Sequence, residues 1–136
     1  MLQFSVCLAS SLSFLAILDV LGRLTVSPAD VTTMTGSNAT FKCKTANNTQ
    51  PVSWEFKPGG ESNYQRLFYG GKLAHSVKGR VNVKANGVNK LILYNVSSQD
   101  GGEYKCQLQL GLDFASAQLT IVGKQTCHYF SAIFVD

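Results

Sequence analysis

The chain has 136 residues, of which 45% are hydrophobic and 15% charged, and a formal net charge of +4. That length suits about one domain at roughly 100–200 residues each, and the composition is that of an ordinary globular protein with a weakly charged surface. The Lys and Arg residues are scattered singly, and the absence of a basic run argues against a nucleic-acid or membrane patch.

The stretch from Leu2 to Leu18 is mostly apolar with Ser, and contains no Lys or Arg. It reads as a secretory signal over residues 1–22, with cleavage after Gly22 and Val20 at the −3 position. The usual positive n-region is missing. An uncleaved membrane anchor is the rival reading, but the stretch is short of about 20 apolar residues and rich in Ser. Cys7 leaves with the signal. Cys43, Cys106 and Cys127 remain, and an odd number leaves one unpaired within a secreted chain.

From Arg23 to Gly123 the pattern is short alternating runs divided by turn residues, which is the all-β signal. A leading strand lies near Leu24–Val26. Ala39, Phe41 and Cys43 then alternate with Thr40, Lys42 and Lys44. Val52, Trp54 and Phe56 alternate with Ser53, Glu55 and Lys57, and Pro58-Gly59-Gly60 breaks the chain. Leu67-Phe68-Tyr69 forms a run closed by Gly70-Gly71. Val81 and Val83 alternate with Asn82 and Lys84, and Asn86-Gly87 signals a hairpin because both residues tolerate positive φ. Leu91 and Leu93 follow, then a turn at Asn95 and Ser97-Ser98. Tyr104, Cys106 and Leu108 alternate with Lys105, Gln107 and Gln109. Ala117, Leu119 and Ile121 close the series. Eight or nine short strands, each with one apolar face, predict two sheets packed face to face or a barrel.

Cys43, Trp54 and Cys106, together with the run Asp100-Gly101-Gly102-Glu103-Tyr104-Lys105-Cys106, resemble the immunoglobulin superfamily over residues 23–122. The resemblance implies a two-sheet Greek-key β-sandwich of eight or nine antiparallel strands. It implies a Cys43–Cys106 core disulfide, Trp54 packed on that bridge, Tyr104 as a tyrosine corner, and an Arg80–Asp100 ion pair. Trp54 to Gly59 followed by Arg66 to Tyr69 is similar to the C–C′ region of variable-type (V-set) domains, with the I-set as runner-up. The last strand lacks the Phe-Gly-x-Gly joining motif of antigen receptors. The chain therefore looks like a V-like domain of a cell-surface receptor or adhesion protein.

No catalytic or cofactor motif is present. His75 and His128 have no Cys, Asp, Glu or His neighbours at metal-ligand spacing, so neither a metal nor a cofactor is expected, and the chain is not read as an enzyme. Sequons at Asn38, Asn47 and Asn95 are expected glycan acceptors. A sugar at Asn47 would lie in the B–C loop and turn partner binding toward the flat GFCC′ face. Glu55, Lys57, Arg66, Lys105, Gln107, Gln109, Ser116 and Gln118 are expected to point outward there, with Phe68 and Tyr69 ambiguous. The F–G loop adds Leu110, Leu112 and Phe114, which either form an exposed apolar tip or fold back on the sandwich edge.

The tail, residues 123–136, leaves the strand pattern. Its short apolar run, Tyr129 to Val135, cannot span a membrane. It reads as a spliced or truncated end of a longer receptor, as a tail in which Cys127 links two chains into a dimer, or as an incomplete product without a role. The expected partner is another extracellular protein or a second copy of the chain. No nucleic acid is expected, and a membrane only within a longer receptor. The alternative is a structural first domain, or a truncated fragment, of a multi-domain adhesion receptor.

Overall fold

The computed structural model describes residues 23–46, 51–109 and 113–123, which form ten β-strands and two 3-10 turns. The expected signal segment at residues 1–22, together with Asn47, Leu110, Leu112 and Cys127, lies outside the described residues. The strands are β1 (Leu24–Val26), β2 (Val31–Met34), β3 (Ala39–Thr45), β4 (Val52–Pro58), β5 (Gln65–Tyr69), β6 (Lys72–Leu73), β7 (Val81–Ala85), β8 (Asn89–Leu93), β9 (Gly102–Leu108) and β10 (Phe114–Val122). One sheet has the order β1-β3-β8-β7 and the other β2-β10-β9-β4-β5-β6. In the lettering of the family that the sequence resembles, β4, β5, β9 and β10 correspond to strands C, C′, F and G.

Two details correct the sequence reading. The described residues form ten strands, not eight or nine, and one pairing is parallel: β2 runs alongside β10 from Val31↔Leu119 to Met34↔Val122. Pro28 explains both. It is buried, has no N–H to give a ladder, and splits the leading strand into β1 on one sheet and β2 on the other. A first strand that changes sheets lies beside the last strand in the same direction. The Asp30 carboxylate holds the junction by accepting the Gln118 N–H at 2.8 Å. The two-residue β6, set off by Gly70-Gly71 with positive φ at both, adds the extra edge.

The period-2 alternation builds the core directly. Ala39, Phe41, Cys43 and Thr45 of β3 are buried and face Val52, Trp54 and Phe56 of β4 and Tyr104, Cys106 and Leu108 of β9. The Tyr104 ring stacks between Phe41 of the opposing sheet and Phe56 of its own, with centroids 4.8 and 4.6 Å away. Cys43 and Cys106 are disulfide-bonded across the two sheets and close 63 residues of chain. Fully buried Trp54 is the register partner of Cys106. Gly102 begins β9 with φ +149° opposite Pro58, where a Cβ would drive into the backbone oxygen of Lys57.

The turn between β8 and β9 is tied by polar groups. The Arg80 guanidinium donates to both oxygens of Asp100, at 2.8 and 2.7 Å. The same carboxylate accepts the Ser97 N–H at 2.7 Å. The Tyr104 hydroxyl donates to the Asp100 carbonyl at 2.7 Å, which is the tyrosine-corner geometry. Burial, followed by the Asp100 charge, pushes the Tyr104 hydroxyl pKa far above its ordinary value. Among the described residues no helix is long and apolar enough to cross a membrane.

Candidate functional site: the outer face of the β10-β9-β4-β5 sheet

Three rows of outward side chains cross this sheet. Glu55 on β4 faces Lys105 on β9, which faces Ser116 on β10. Lys57 faces Glu103, which faces Gln118. Ser53 faces Gln107, which faces Phe114. Antiparallel strands put directly opposed side chains about 5 Å apart, so opposed charges pair. The Lys105 ammonium is 2.6 Å from Glu55, and the Lys57 ammonium is 3.0 Å from Glu103. The four charges of the central face therefore neutralise one another in register.

Tyr64, at the approach to β5, lies over this network. Its hydroxyl donates a hydrogen bond to Glu103, and its ring centroid lies 3.9 Å from the Lys105 ammonium and 5.1 Å from that of Lys57. Burial, then the hydrogen bond to Glu103, pushes the Tyr64 pKa up to about 12. The hydrogen bonds from Tyr64 and Lys57 hold the Glu103 carboxyl below its ordinary value. Neither Tyr64 nor Glu103 was singled out as a site residue from sequence. Their signal was the Glu–Lys alternation on both strands, which becomes a network only in the observed register.

The other expected face residues divide. Arg66 is exposed, makes no ion pair among the described residues, and stacks on the Tyr69 ring at 4.4 Å. A register shift between Trp54 and Glu55 resolves the β5 ambiguity: Leu67 is buried, Phe68 packs against the core, and Tyr69 is 48% exposed. Phe114 is 63% exposed on the outer face, so it does not fold back on the sandwich edge. Gln107 is half-buried, and Ser53 is buried on the outer face, with its hydroxyl donating to the Gln107 carbonyl. Gln109 departs from the expectation. It follows the end of β9, is half-buried, and its amide nitrogen is enclosed without a partner.

Asp113 is a third residue missed from sequence. Its carboxylate accepts the Leu24 N–H of the other sheet at 2.8 Å and the Phe114 N–H at 2.9 Å. It fixes the start of β10, and with it Phe114. Asn38 and Asn95 are both exposed, and the Asn38 carboxamide oxygen accepts the Asn95 N–H at 3.1 Å. Asn95 takes φ +50°, a left-handed turn that Asn tolerates.

On the opposite sheet, basic residues that are scattered singly along the sequence come together. Lys42 on β3 faces Lys90 on β8, which faces Lys84 on β7, and all three are exposed.

A disulfide-stapled two-sheet sandwich with a buried Trp, a tyrosine corner and an Arg–Asp pair defines the class: an immunoglobulin-type β-sandwich. An immunoglobulin-domain family model matches residues 23–109, and the chain belongs to that family. Among solved structures it is similar to the complex of titin M10 with an obscurin-like 1 Ig domain, at 23% identity, TM-score 0.58, over 76% of this chain and 96% of that one. It is also similar to the I9–I11 tandem of titin, at 22% identity, TM-score 0.56, over 74% of this chain, which spans 33% of the tandem. An IG27 protein domain matches at 18% identity, TM-score 0.56, over 74% and 91% of the two chains. These likenesses concern the fold alone.

Proposed function

We propose that the chain is an extracellular protein-binding module, serving adhesion, recognition or soluble reception, and not an enzyme. Its binding element is the GFCC′ face at the end nearest the F–G loop. The observation that carries this reading is the aromatic pair Tyr69 and Phe114, exposed on β5 and β10, which flank β4 and β9 with the row Ser53–Gln107 between them. Exposed aromatic side chains around a low floor suit a protruding apolar side chain, and aromatic residues dominate interface energetics. The central charges are already paired, so among the described residues of the face Arg66 is a cation without an ion pair. A variable-type domain is the subtype proposed, supported by the β5–β6 extension beyond β4.

Secretion is proposed with it, from the apolar segment at residues 2–18 and from a core disulfide of the kind that persists in oxidising compartments. Glycans are proposed at Asn38 and Asn95, at the Val122 end of the sandwich and away from Phe114. Asn38→Asp keeps the oxygen that accepts the Asn95 N–H but abolishes the sequon. It should remove one endoglycosidase-sensitive mass step without lowering the thermal midpoint.

The face is tested by capturing partners from cell surfaces with the tagged chain and measuring affinity and self-association. Phe114→Ser, Leu112→Ser and Tyr69→Ser should each weaken binding by tenfold or more, about 1.4 kcal/mol. Unchanged affinity in folded variants would remove this end of the face from the interface. A second reading, a structural first domain or fragment of a multi-domain adhesion receptor, is favoured by the exposed register partners Met34 (53%) and Val122 (42%), where β10 ends. A neighbouring domain would cover them, and Met34→Ser would then alter interdomain packing and leave ligand affinity alone.

A further inference from the structure

We propose that the outer face of the β1-β3-β8-β7 sheet binds a linear sulfated polysaccharide through the transverse row Lys42, Lys90 and Lys84. The three lysines are direct register partners across three strands, and all are exposed. Lys44, half-buried on β3, continues the positive strip along its strand. No strand of this sheet contains an Asp or Glu, and none of these lysines has an ion pair among the described residues.

Like charges directly opposite one another oppose sheet formation, so the row needs a reason. Protection of a sheet edge accounts for Lys84 alone, because lysine on an edge strand discourages pairing with other chains. It does not account for Lys42 and Lys90, whose strands β3 and β8 are interior. The core holds the register: Phe41 pairs with Leu91 and Ala39 with Leu93 on the buried side, so the lysines cannot slip apart. A fixed cationic row that the fold tolerates without counter-charges suits an anionic ligand.

The ligand's chemistry follows from what surrounds the row. Strands lie about 4.8 Å apart, so three ammonium stems span about 10 Å across the sheet, and a linear polyanion lying across the strands meets all of them. Lysine presents a compact point charge on a flexible stem, which suits sulfate groups of irregular spacing. The adjacent row, Thr40–Ile92–Asn82, adds a hydroxyl and an amide for sugar hydroxyls. The outward positions of β3, β7 and β8 carry no Phe, Tyr or Trp. Base-stacking platforms and interfacial membrane anchors are therefore missing from this face, which disfavours single-stranded nucleic acid and a lipid surface. The face lies on the opposite sheet from Tyr69 and Phe114, so this inference and the protein-binding reading fail independently.

The test is binding of the full chain to immobilised heparin. The wild type should be retained at physiological salt, about 0.15 M. The variant Lys42→Ser/Lys84→Ser/Lys90→Ser should bind at least about tenfold more weakly and lower the slope of log affinity against log salt by about three. Lys90→Ser alone should lower the slope by about one. A charge-matched variant at exposed sites elsewhere, Arg23→Ser/Lys72→Ser/Lys78→Ser, should retain most of the affinity. Replacing the row by arginines should preserve binding, which guards against a folding artefact. Equal losses in the row and charge-matched variants would overturn the proposal in favour of net charge alone. No retention of the wild type, or stronger binding to phosphatidylserine vesicles or an oligonucleotide than to heparin, would overturn it as well.

Discussion

The two sheets use one construction rule and reach opposite electrostatic results. Both bury every second residue, and both carry charged side chains on the outer positions. On the β4–β9 ladder the register sets Glu55 against Lys105 and Lys57 against Glu103. On the β3–β8–β7 ladders it sets Lys42 against Lys90 and Lys90 against Lys84. Alternation decides that a residue is outward; the pairing partner decides whether its charge cancels or accumulates. A slip of two residues in the β4–β9 ladder would keep the same side chains outward, yet set Glu55 against Glu103 or Lys57 against Lys105. The charges of that face thus reinforce its register, whereas the lysine row accepts a register imposed by the core beneath it.

The comparison is broken most completely by removing what both faces share. Replacing Cys43 and Cys106 together by Ala should cost about 4 kcal/mol for a loop of 63 residues, measured by chemical denaturation. Both faces should then lose their ligands together. The next largest effect falls on the link between the sheets. Asp100→Asn removes the bidentate acceptor of Arg80, at the start of β7, from the turn entering β9, and should cost about 2 kcal/mol. A loss below the error of the unfolding curve would mean that the tyrosine corner alone holds this turn.

Smaller changes sharpen the contrast. Lys105→Thr should lower stability by up to about 1 kcal/mol, because it strands Glu55 and uncovers Tyr64. Lys90→Thr should be neutral or should raise stability by a few tenths of a kcal/mol, about half a kcal/mol at most, since it relieves like-charge opposition. The same sign for both in matched denaturation curves would refute the role assigned to register. The smallest effect is a pH dependence confined to one sheet. The folded pKa of Glu103 lies below its ordinary 4.5, chiefly through the hydrogen bond from Tyr64. Its contribution is therefore complete above pH 4.5 and is lost as pH falls through the depressed folded value. Glu103→Gln should flatten the stability profile in that acidic window. The lysine row, with no carboxylate on its strands, should leave the profile there unchanged.

Much of the sandwich was readable along the chain. Cys43, Trp54 and Cys106 fall on inward positions, and Asp100 to Cys106 spells out the turn and corner that the fold builds there. Phe114 could be suspected, because a large apolar residue beside a short loop is conspicuous in sequence. Pro28 was equally visible, but not its effect, since a proline says where a ladder stops and not which strand the next segment will join. Gln109 was expected outward by an alternation that loses its meaning once the chain leaves the strand after Leu108.

Which side chains face the core is a local property: a two-residue repeat in the sequence is enough, because each strand presents successive side chains to opposite sides. Which side chains meet is not local. Lys42, Lys84 and Lys90 look like solitary charges in the chain, and Tyr64 lies 39 positions from the carboxylate it donates to. Their encounters depend on how strands distant in sequence align, and that alignment is set by the packing of buried residues such as Phe41, Leu91, Trp54 and Cys106. The chain therefore states its layers in advance, but the charge pattern on its two surfaces exists only after the sheets have closed on their core.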